Sequence, residues 1–156
     1  MKKKIVSILL CAALVCAMAV PAFAATSIRN EETGGYLNCY GDYPDNFGNR
    51  NVTDYKTSSP RRDQLWSLEY TSRPLTQGYV VSVVSDIYGT KFGLNINTNN
   101  NNCNIYKING NEHDALCVYG SNYIKLANYV LYLNSTGLNE NVNWDTSGNL
   151  HWSYEH

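Results

Sequence analysis

The segment Asn51-Val52-Thr53-Asp54-Tyr55, followed by Gln64-Leu65-Trp66, decides the fold because both sequences recur twice further along the chain. The recurrences are Asn102-Cys103-Asn104-Ile105-Tyr106 with Ala115-Leu116-Cys117, and Asn141-Val142-Asn143-Trp144 with Leu150-His151-Trp152. Val52 and Trp66 are 14 positions apart, and so are Cys103 and Cys117. Self-similarity at a constant spacing indicates repeated structural units. The chain is therefore predicted to contain three copies of one unit.

Two further landmarks come before this segment in each copy. One is a Leu-Asn pair inside a strand-like apolar run, and the other is a strand candidate ahead of that pair. The pairs are Leu37-Asn38, Leu94-Asn95 and Leu133-Asn134, and the candidates lie at residues 27–29, 79–84 and 123–126. Each unit thus has four predicted strands, and the units are expected at about residues 25–78, 79–120 and 121–156.

The composition favours strands over helices. All 13 tyrosines lie beyond residue 24, interleaved with many asparagines, whereas alanine and leucine are sparse there. The predicted fold class is therefore all-β. Four-stranded units also build propellers, but a propeller typically needs about four to eight of them. Three copies favour a β-trefoil, in which a six-stranded barrel is closed at one end by three hairpins.

The first 24 residues are predicted to be a cleavable secretory signal peptide. Three lysines at positions 2 to 4 precede an apolar run from Ile5 to Val20, and Pro21 ends that run. Ala22-Phe23-Ala24 then supplies the small-x-small cleavage pattern. A membrane anchor is the alternative, but the run is shorter than the roughly 20 residues needed to cross a bilayer. We expect a bacterial protein that is secreted or attached to the cell surface.

Charge and motif content exclude several classes of function. The part beyond residue 24 has 132 residues (156 − 24), nine Lys and Arg (12 − 3) and a net charge of about −4 (9 − 13), which argues against binding to nucleic acid. No nucleophile with its base, metal-ligand set or cofactor motif is recognisable, and His113-Asp114 is typical of a solvated turn. We therefore expect no enzymatic activity, no metal, no cofactor and no insertion into a membrane.

These landmarks resemble those of the ricin-B-type β-trefoil lectins, including the small secreted trefoils of bacteria. The family's Gln-x-Trp sequence is intact once, at Gln64-Leu65-Trp66, whereas Cys117 and Leu150 replace its members in the later copies. The resemblance implies one shallow sugar pocket per unit, formed by an acidic residue on the second strand, an aromatic platform, and polar groups before the closing Trp. The residues at these positions are Asn38, Tyr55, Asp63 and Gln64 in the first unit, Asn95, Tyr106 and Asp114 in the second, and Asn134, Trp144 and Asn149 in the third.

Two alternatives remain open at this point. Asp145 matches the third platform position as well as Trp144 does, because the closing turn of the third unit is shorter. Asn also stands where galactose-binding members usually have Asp, and an amide has only one acceptor oxygen, so these Asn residues could instead stabilise turns. The expected partner is a glycan or glycoconjugate. The rival is a protein-binding trefoil, such as an inhibitor, a toxin accessory subunit or a surface antigen. An extended connection is predicted between Ser67 and Gly78, and its part from Tyr70 to Gly78 would contact the partner protein.

Three cysteines lie beyond the signal, at positions 39, 103 and 117, so one must stay unpaired within a monomer. Cys103 and Cys117 occupy the places of Val52 and Trp66 in the first copy and should point into the same part of the core. A disulfide between Cys103 and Cys117 is one expectation, and two buried thiols are the other.

Overall fold

A computed structural model describes residues 26–39, 50–57, 59–60, 62–73, 76–83, 92–107, 115–118, 122–126 and 129–155. The predicted signal peptide and its cleavage site lie outside these residues. The described chain contains twelve β-strands and one short 3-10 helix, Arg62–Gln64. The strands are β1 Ser27–Asn30, β2 Tyr36–Cys39, β3 Arg50–Tyr55, β4 Trp66–Arg73, β5 Thr76–Val83, β6 Phe92–Asn97, β7 Asn102–Lys107, β8 Ala115–Val118, β9 Tyr123–Leu126, β10 Tyr132–Ser135, β11 Val142–Asp145 and β12 Trp152–Glu155.

Six of the strands form a nearly closed, barrel-like ring. Strand β1 pairs with β12, β4 with β5, β5 with β8, and β8 with β9, all antiparallel. Thr26 and Trp66 exchange two backbone hydrogen bonds of 2.9 and 2.8 Å, which joins the start of β1 to the start of β4. The Trp152 amide donates to the Asn122 carbonyl at 2.8 Å and joins β12 to the start of β9. Few strand edges are therefore left unpaired.

The other six strands form three hairpins, β2–β3, β6–β7 and β10–β11. The hairpins contact one another cyclically through their second strands. The cross-strand partners are Asn51 with Asn104, Asn102 with Asn143, and Asn141 with Thr53. Val52, Cys103 and Val142 are the equivalent buried positions on the three second strands. Each contact joins the residue before one of these positions to the residue after another. This pattern makes the three units equivalent about a pseudo-threefold axis.

The leucines of the three Leu-Asn pairs occupy equivalent places in the core. Leu37, Leu94 and Leu133 are all fully buried. Their direct cross-strand partners are Asp54, Ile105 and Trp144, respectively, which are also fully buried. The internal repeat read from the sequence therefore corresponds to a repeat of backbone register as well as of strand order.

Three buried indole rings fill the space between the hairpins and the ring of strands. The indole N–H of Trp66 donates to the Leu37 carbonyl at 2.8 Å, and that of Trp152 donates to the Leu133 carbonyl at 3.0 Å. Both bonds lie within one unit and are equivalent. The second unit has Cys117 in that place, and Trp144 of the third unit donates to the Asn95 carbonyl at 3.1 Å. Burying one such ring contributes about 4 to 6 kcal/mol by area.

The connection predicted between Ser67 and Gly78 is wrong, because those residues form two strands. Strands β4 and β5 pair over eight positions, from Trp66 with Val83 to Arg73 with Thr76. Strand β5 carries three valines, one tyrosine and one threonine, and β4 carries one tyrosine and one threonine, all of which favour extended backbone. Gln77-Gly78, a dipeptide typical of loops, lies inside β5, and the last cross-strand pair of the hairpin is Arg73 with Thr76. Among the residues that the structure describes, no helix has the length and apolar character needed to cross a membrane.

Candidate glycan-binding surface

A row of three residues crosses each hairpin and the ring strand beside it. The members of a row are direct partners on three neighbouring antiparallel strands. We call these the outer rows. They are Arg29–Tyr36–Tyr55 in the first unit, Ser82–Gly93–Tyr106 in the second, and Lys125–Tyr132–Asp145 in the third.

Two of the predicted platform residues end an outer row and face solvent. Tyr55 is 51% exposed and Tyr106 is 39% exposed. Both follow a fully buried residue on the same strand, Asp54 and Ile105, so the alternation of the strand turns their rings outward. The structure thus gives both tyrosines the exposure that a platform requires.

The three predicted asparagines lie two positions further along the same face, and all three are buried. Asn38 Nδ2 donates to Thr53 Oγ1 at 3.0 Å. The equivalent donors are Asn95 Nδ2 to Asn104 Oδ1 at 3.1 Å and Asn134 Nδ2 to Asn143 Oδ1 at 2.8 Å. Each amide therefore ties together the two strands of its hairpin. This contact agrees with the alternative that the three asparagines stabilise the local backbone rather than bind a sugar. Because it uses only their Nδ2 groups, it leaves their Oδ1 atoms for other donors.

The amide oxygens differ between the second and third units. Asn134 Oδ1 accepts the backbone N–H of Asn149 at 2.8 Å and is thus engaged by the closing turn of its own unit. Asn95 Oδ1 is buried, and no donor reaches it in the described structure. An unsatisfied buried acceptor is costly, so the second hairpin carries one hydrogen-bonding group that the described structure leaves without a donor.

In the first unit, the 3-10 helix brings two more predicted residues towards the same place. This helix, which contains Asp63 and Gln64, packs against β2, the strand that carries Asn38. Gln64 is buried and Asp63 is partly exposed. Burial raises the pKa of the neighbouring Cys39 thiol to about 12, while Arg50 lowers that pKa and Asp63 raises it, so Asp63 lies near the end of β2.

The prediction of Trp144 as the third platform is wrong. Trp144 is fully buried and lies opposite Leu133, whereas Asp145 lies opposite Tyr132 and takes the place of Tyr55 and Tyr106. The physical reason is the two-residue period of a strand, which sends neighbouring side chains to opposite faces. Asn149 is also engaged, because its Nδ2 donates to the Ser135 carbonyl at 3.0 Å. Asp114, the predicted closing residue of the second unit, lies outside the described residues.

Asp54 is a buried carboxylic acid that the sequence analysis did not identify as structural. Its Oδ2 accepts hydrogen bonds from Ser135 Oγ at 2.5 Å and from the Thr33 hydroxyl. A Cβ at Gly35 would lie 1.7 Å from Asp54 Oδ1, so only glycine fits there. Burial raises the pKa of Asp54, while its hydrogen bonds from Ser135 and Thr33 act in the opposite direction. In the alignment of the three repeats, Asp54 stands at the position of the apolar residues Ile105 and Trp144, and this was the sequence signal for its burial.

A second unpredicted cluster lies between the third and first units. His151 Nδ1 binds the Glu32 carboxylate, and His151 Nε2 lies 2.7 Å from the Tyr123 hydroxyl. A carboxylate at Nδ1 favours the tautomer that carries its proton there, so Nε2 accepts from the phenol. The Tyr123 ring also packs against Tyr132, with centroids 5.4 Å apart and planes inclined at 59°.

Neither of the two cysteines whose side chains the structure describes forms a disulfide. Cys39 and Cys103 are free and buried, so the expected disulfide between Cys103 and Cys117 is absent from it. Cys103 lies on β7, which pairs with β6, β3 and β11, whereas Cys117 lies on β8, which pairs with β5 and β9. Within the described ranges, no three His, Cys, Asp or Glu side chains are grouped so as to hold a metal ion.

No protein-family model and no curated protein matches the sequence. Solved structures do match. A designed threefold-symmetric protein, ThreeFoil, superposes with a TM-score of 0.63 at 16% identity over 85% of this chain and 98% of its own. The agglutinin of Rhizoctonia solani gives a TM-score of 0.58 at 19% identity over 88% of this chain and 97% of its own.

A mosquitocidal holotoxin gives a TM-score of 0.65 at 17% identity over 88% of this chain, which matches 17% of the toxin chain. At these identities the likeness shows the fold alone. Together with the strand pairing, it shows that the protein has a β-trefoil fold.

Proposed function

We propose that the protein is a non-catalytic carbohydrate-binding module, exported from a bacterial cell, that binds glycans through the exposed tyrosines of its first two units. The observation that carries this proposal is the equivalent placement of Tyr55 and Tyr106. Each ring is exposed at the end of an outer row and lies beside a buried Asn of the same hairpin. The agglutinin among the structural neighbours supports the same reading.

The chemistry of these places suits a sugar. An exposed phenol ring offers an apolar face to the C–H groups of a pyranose, and nearby amides offer hydrogen bonds to its hydroxyls. In the second unit, Gly93 lies directly opposite Tyr106 and has no side chain that could cover the ring. Asn95 Oδ1 then supplies a buried acceptor within the same hairpin.

The third unit lacks this arrangement, so we propose two neutral-sugar sites rather than three. Asp145 occupies the platform position, Asn134 Oδ1 already accepts the Asn149 amide of the closing turn, and Asn149 Nδ2 already donates to the Ser135 carbonyl of β10. Single shallow sites of this kind bind weakly, and two sites on one module supply avidity towards a multivalent glycan.

A glycan-binding screen of the purified protein, repeated with Tyr55→Ala, Tyr106→Ala and the double variant, tests the proposal. Each single variant should weaken binding to a multivalent glycan by roughly tenfold, and the double variant should abolish it. Tyr129→Ala is the matched control, because Tyr129 is 38% exposed but lies outside the outer rows. A blank screen, or equal losses in the control, would contradict the proposal.

A protein-binding module is the second candidate, and one observation favours it. The β4–β5 hairpin pairs over eight positions, whereas the equivalent β8–β9 and β12–β1 pairings each cover four. The extra length could present a strand edge to a partner protein. If removal of residues 71–78 abolished capture of a partner and left glycan binding unchanged, this second function would be supported.

A further inference from the structure

In the first unit, a cation and a tyrosine that are neighbours in an outer row contact a carboxylate. Tyr36 donates its hydroxyl hydrogen to Glu155 Oε2 at 2.8 Å. Arg29 Nη1 lies 3.9 Å from Glu155 Oε1. The hydrogen bond to Glu155 raises the pKa of Tyr36, as expected for a phenol that donates to an ionised carboxylate. Arg29 and Tyr36 therefore form a carboxylate site that the protein's own C-terminal strand fills.

The third unit repeats this pair at the same register. Lys125 is the cross-strand partner of Tyr132, as Arg29 is of Tyr36. The Lys125 ammonium lies 6.0 Å from the centroid of the Tyr132 ring. Both side chains are partly exposed.

The third unit does not repeat the acid. Glu155, which contacts Arg29, is the cross-strand partner of Ser27. The counterpart of Ser27 on β9 is Tyr123, and the cross-strand partner of Tyr123 is Val118. Within the described part of the chain, Lys125 makes no ion pair. The same cation and phenol are thus present without an internal carboxylate.

We propose that Lys125 and Tyr132 bind the carboxylate of an acidic sugar, such as a uronic acid residue of a glycan. This inference rests on the proposed function, because it takes the bound molecule to be a glycan. A charge-assisted hydrogen bond from Lys125 and a second from the Tyr132 hydroxyl would replace the contacts that Glu155 receives in the first unit. The inclined Tyr123 ring beside Tyr132 adds an apolar wall against which the sugar ring packs.

The other charged groups near this pair orient the ligand. Asp145 lies on the far side of Tyr132, where its Oδ1 accepts the Thr146 amide at 2.6 Å, and it repels an anion from that side. Glu32 is engaged by His151, which also accepts the Tyr123 hydroxyl. The carboxylate of the ligand is therefore directed to the Lys125 side of the ring.

Calorimetric titration with a trigalacturonate, compared with a neutral galactose trimer, tests the inference. Lys125→Gln should weaken binding of the trigalacturonate by about tenfold or more, since such a bond is worth about one factor of ten in affinity. Tyr132→Phe should weaken it less, because the ring remains. Lys56→Gln removes an exposed lysine outside the outer rows and should leave binding unchanged. Binding to the unaltered protein should also weaken as salt is raised.

A gain of binding provides an independent check. Glu155→Ala vacates the equivalent pair in the first unit, so the protein should then take up a second equivalent of trigalacturonate at Arg29 and Tyr36. Unchanged affinity in Lys125→Gln would overturn the inference, and so would an acidic tripeptide that binds as tightly as the trigalacturonate. If Lys125-dependent binding of trigalacturonate occurs while no neutral glycan binds, this inference stands and the sites at Tyr55 and Tyr106 fail.

Discussion

The first and third hairpins carry the same two kinds of side chain in opposite order. Strand β3 ends in Asp54-Tyr55, and β11 ends in Trp144-Asp145. Their registers are identical, because Asp54 and Trp144 both face a buried leucine, whereas Tyr55 and Asp145 both face a tyrosine. The first unit therefore has an acid inside and a ring outside, and the third has a ring inside and an acid outside.

This reversal shows how little the backbone limits the chemistry of each unit. A buried ring needs one partner, and Trp144 has it in the Asn95 carbonyl. A buried acid needs several, and Asp54 draws on hydroxyl groups from two different units and on the space left by Gly35. The outward residue therefore differs between the two units, as an exposed ring at Tyr55 and a partly exposed carboxylate at Asp145.

Removing the inward ring of the third unit should have the largest effect. We expect Trp144→Ala to lower the free energy of unfolding by about 3 to 5 kcal/mol, because it leaves a large cavity and an unpaired Asn95 carbonyl. Urea unfolding measures this loss. Tyr55→Ala is the matched control at the outward position and should change stability by about 0.5 kcal/mol or less.

If Trp144→Ala kept full stability and lost glycan binding instead, the assignment of Trp144 to the core would be wrong. Trp144→Phe keeps an aromatic ring at this position but removes the indole N–H and part of the ring volume. Its loss should be about 1 to 3 kcal/mol, less than that of Trp144→Ala, because the cavity is smaller.

The sequence predicted the strands and their grouping well because the landmarks were apolar residues whose burial the fold requires. Leu37, Leu94 and Leu133 recur with the same neighbours, and each is fully buried in an equivalent place. The platform residues Tyr55 and Tyr106 followed from the same alignment, and both are exposed. The predicted domain limits and the signal peptide stay predictions.

The assignment of Trp144 to the third platform was wrong because it matched aromatic residues with one another rather than positions along the strand. A shift of one residue in a strand exchanges the inner and outer faces, so the error moved a core residue to the surface. The burial of Asp54 could not be predicted from the sequence either, because its partners Thr33 and Ser135 are far apart in the chain. The long hairpin was missed because Pro and Gly signals do not distinguish a strand with a tight tip from a loop.

The inward acid of the first unit should give stability an unusual dependence on pH. Burial raises the pKa of Asp54 in the folded protein, so binding a proton there favours the folded state. This contribution is fully present below the pKa of the unfolded chain and is lost as the pH rises through the folded pKa. Asp54→Asn does not titrate at this position and lacks the effect.

We therefore expect the unaltered protein to gain stability relative to Asp54→Asn as the pH falls from 7 to 4, by roughly 1.4 kcal/mol per pH unit at most. Chemical unfolding of both proteins across this range measures the difference. A difference that stayed constant with pH would mean that Asp54 titrates alike in the folded and unfolded states.

The smallest change in stability should come from giving the third unit an outward ring. Asp145→Tyr places a tyrosine opposite Tyr132, as Tyr55 lies opposite Tyr36, and we expect stability to change by about 0.5 kcal/mol or less at this partly exposed position. Asp145→Asn, which removes the charge without adding a ring, is the control. If an outward ring were enough to make a neutral-sugar site, the number of neutral-glycan sites would rise from two to three in Asp145→Tyr alone. If the number stays at two, the closing turn that engages the Asn134 oxygen limits the third unit, since a platform without a free acceptor beside it offers stacking but no hydrogen bond to orient the sugar.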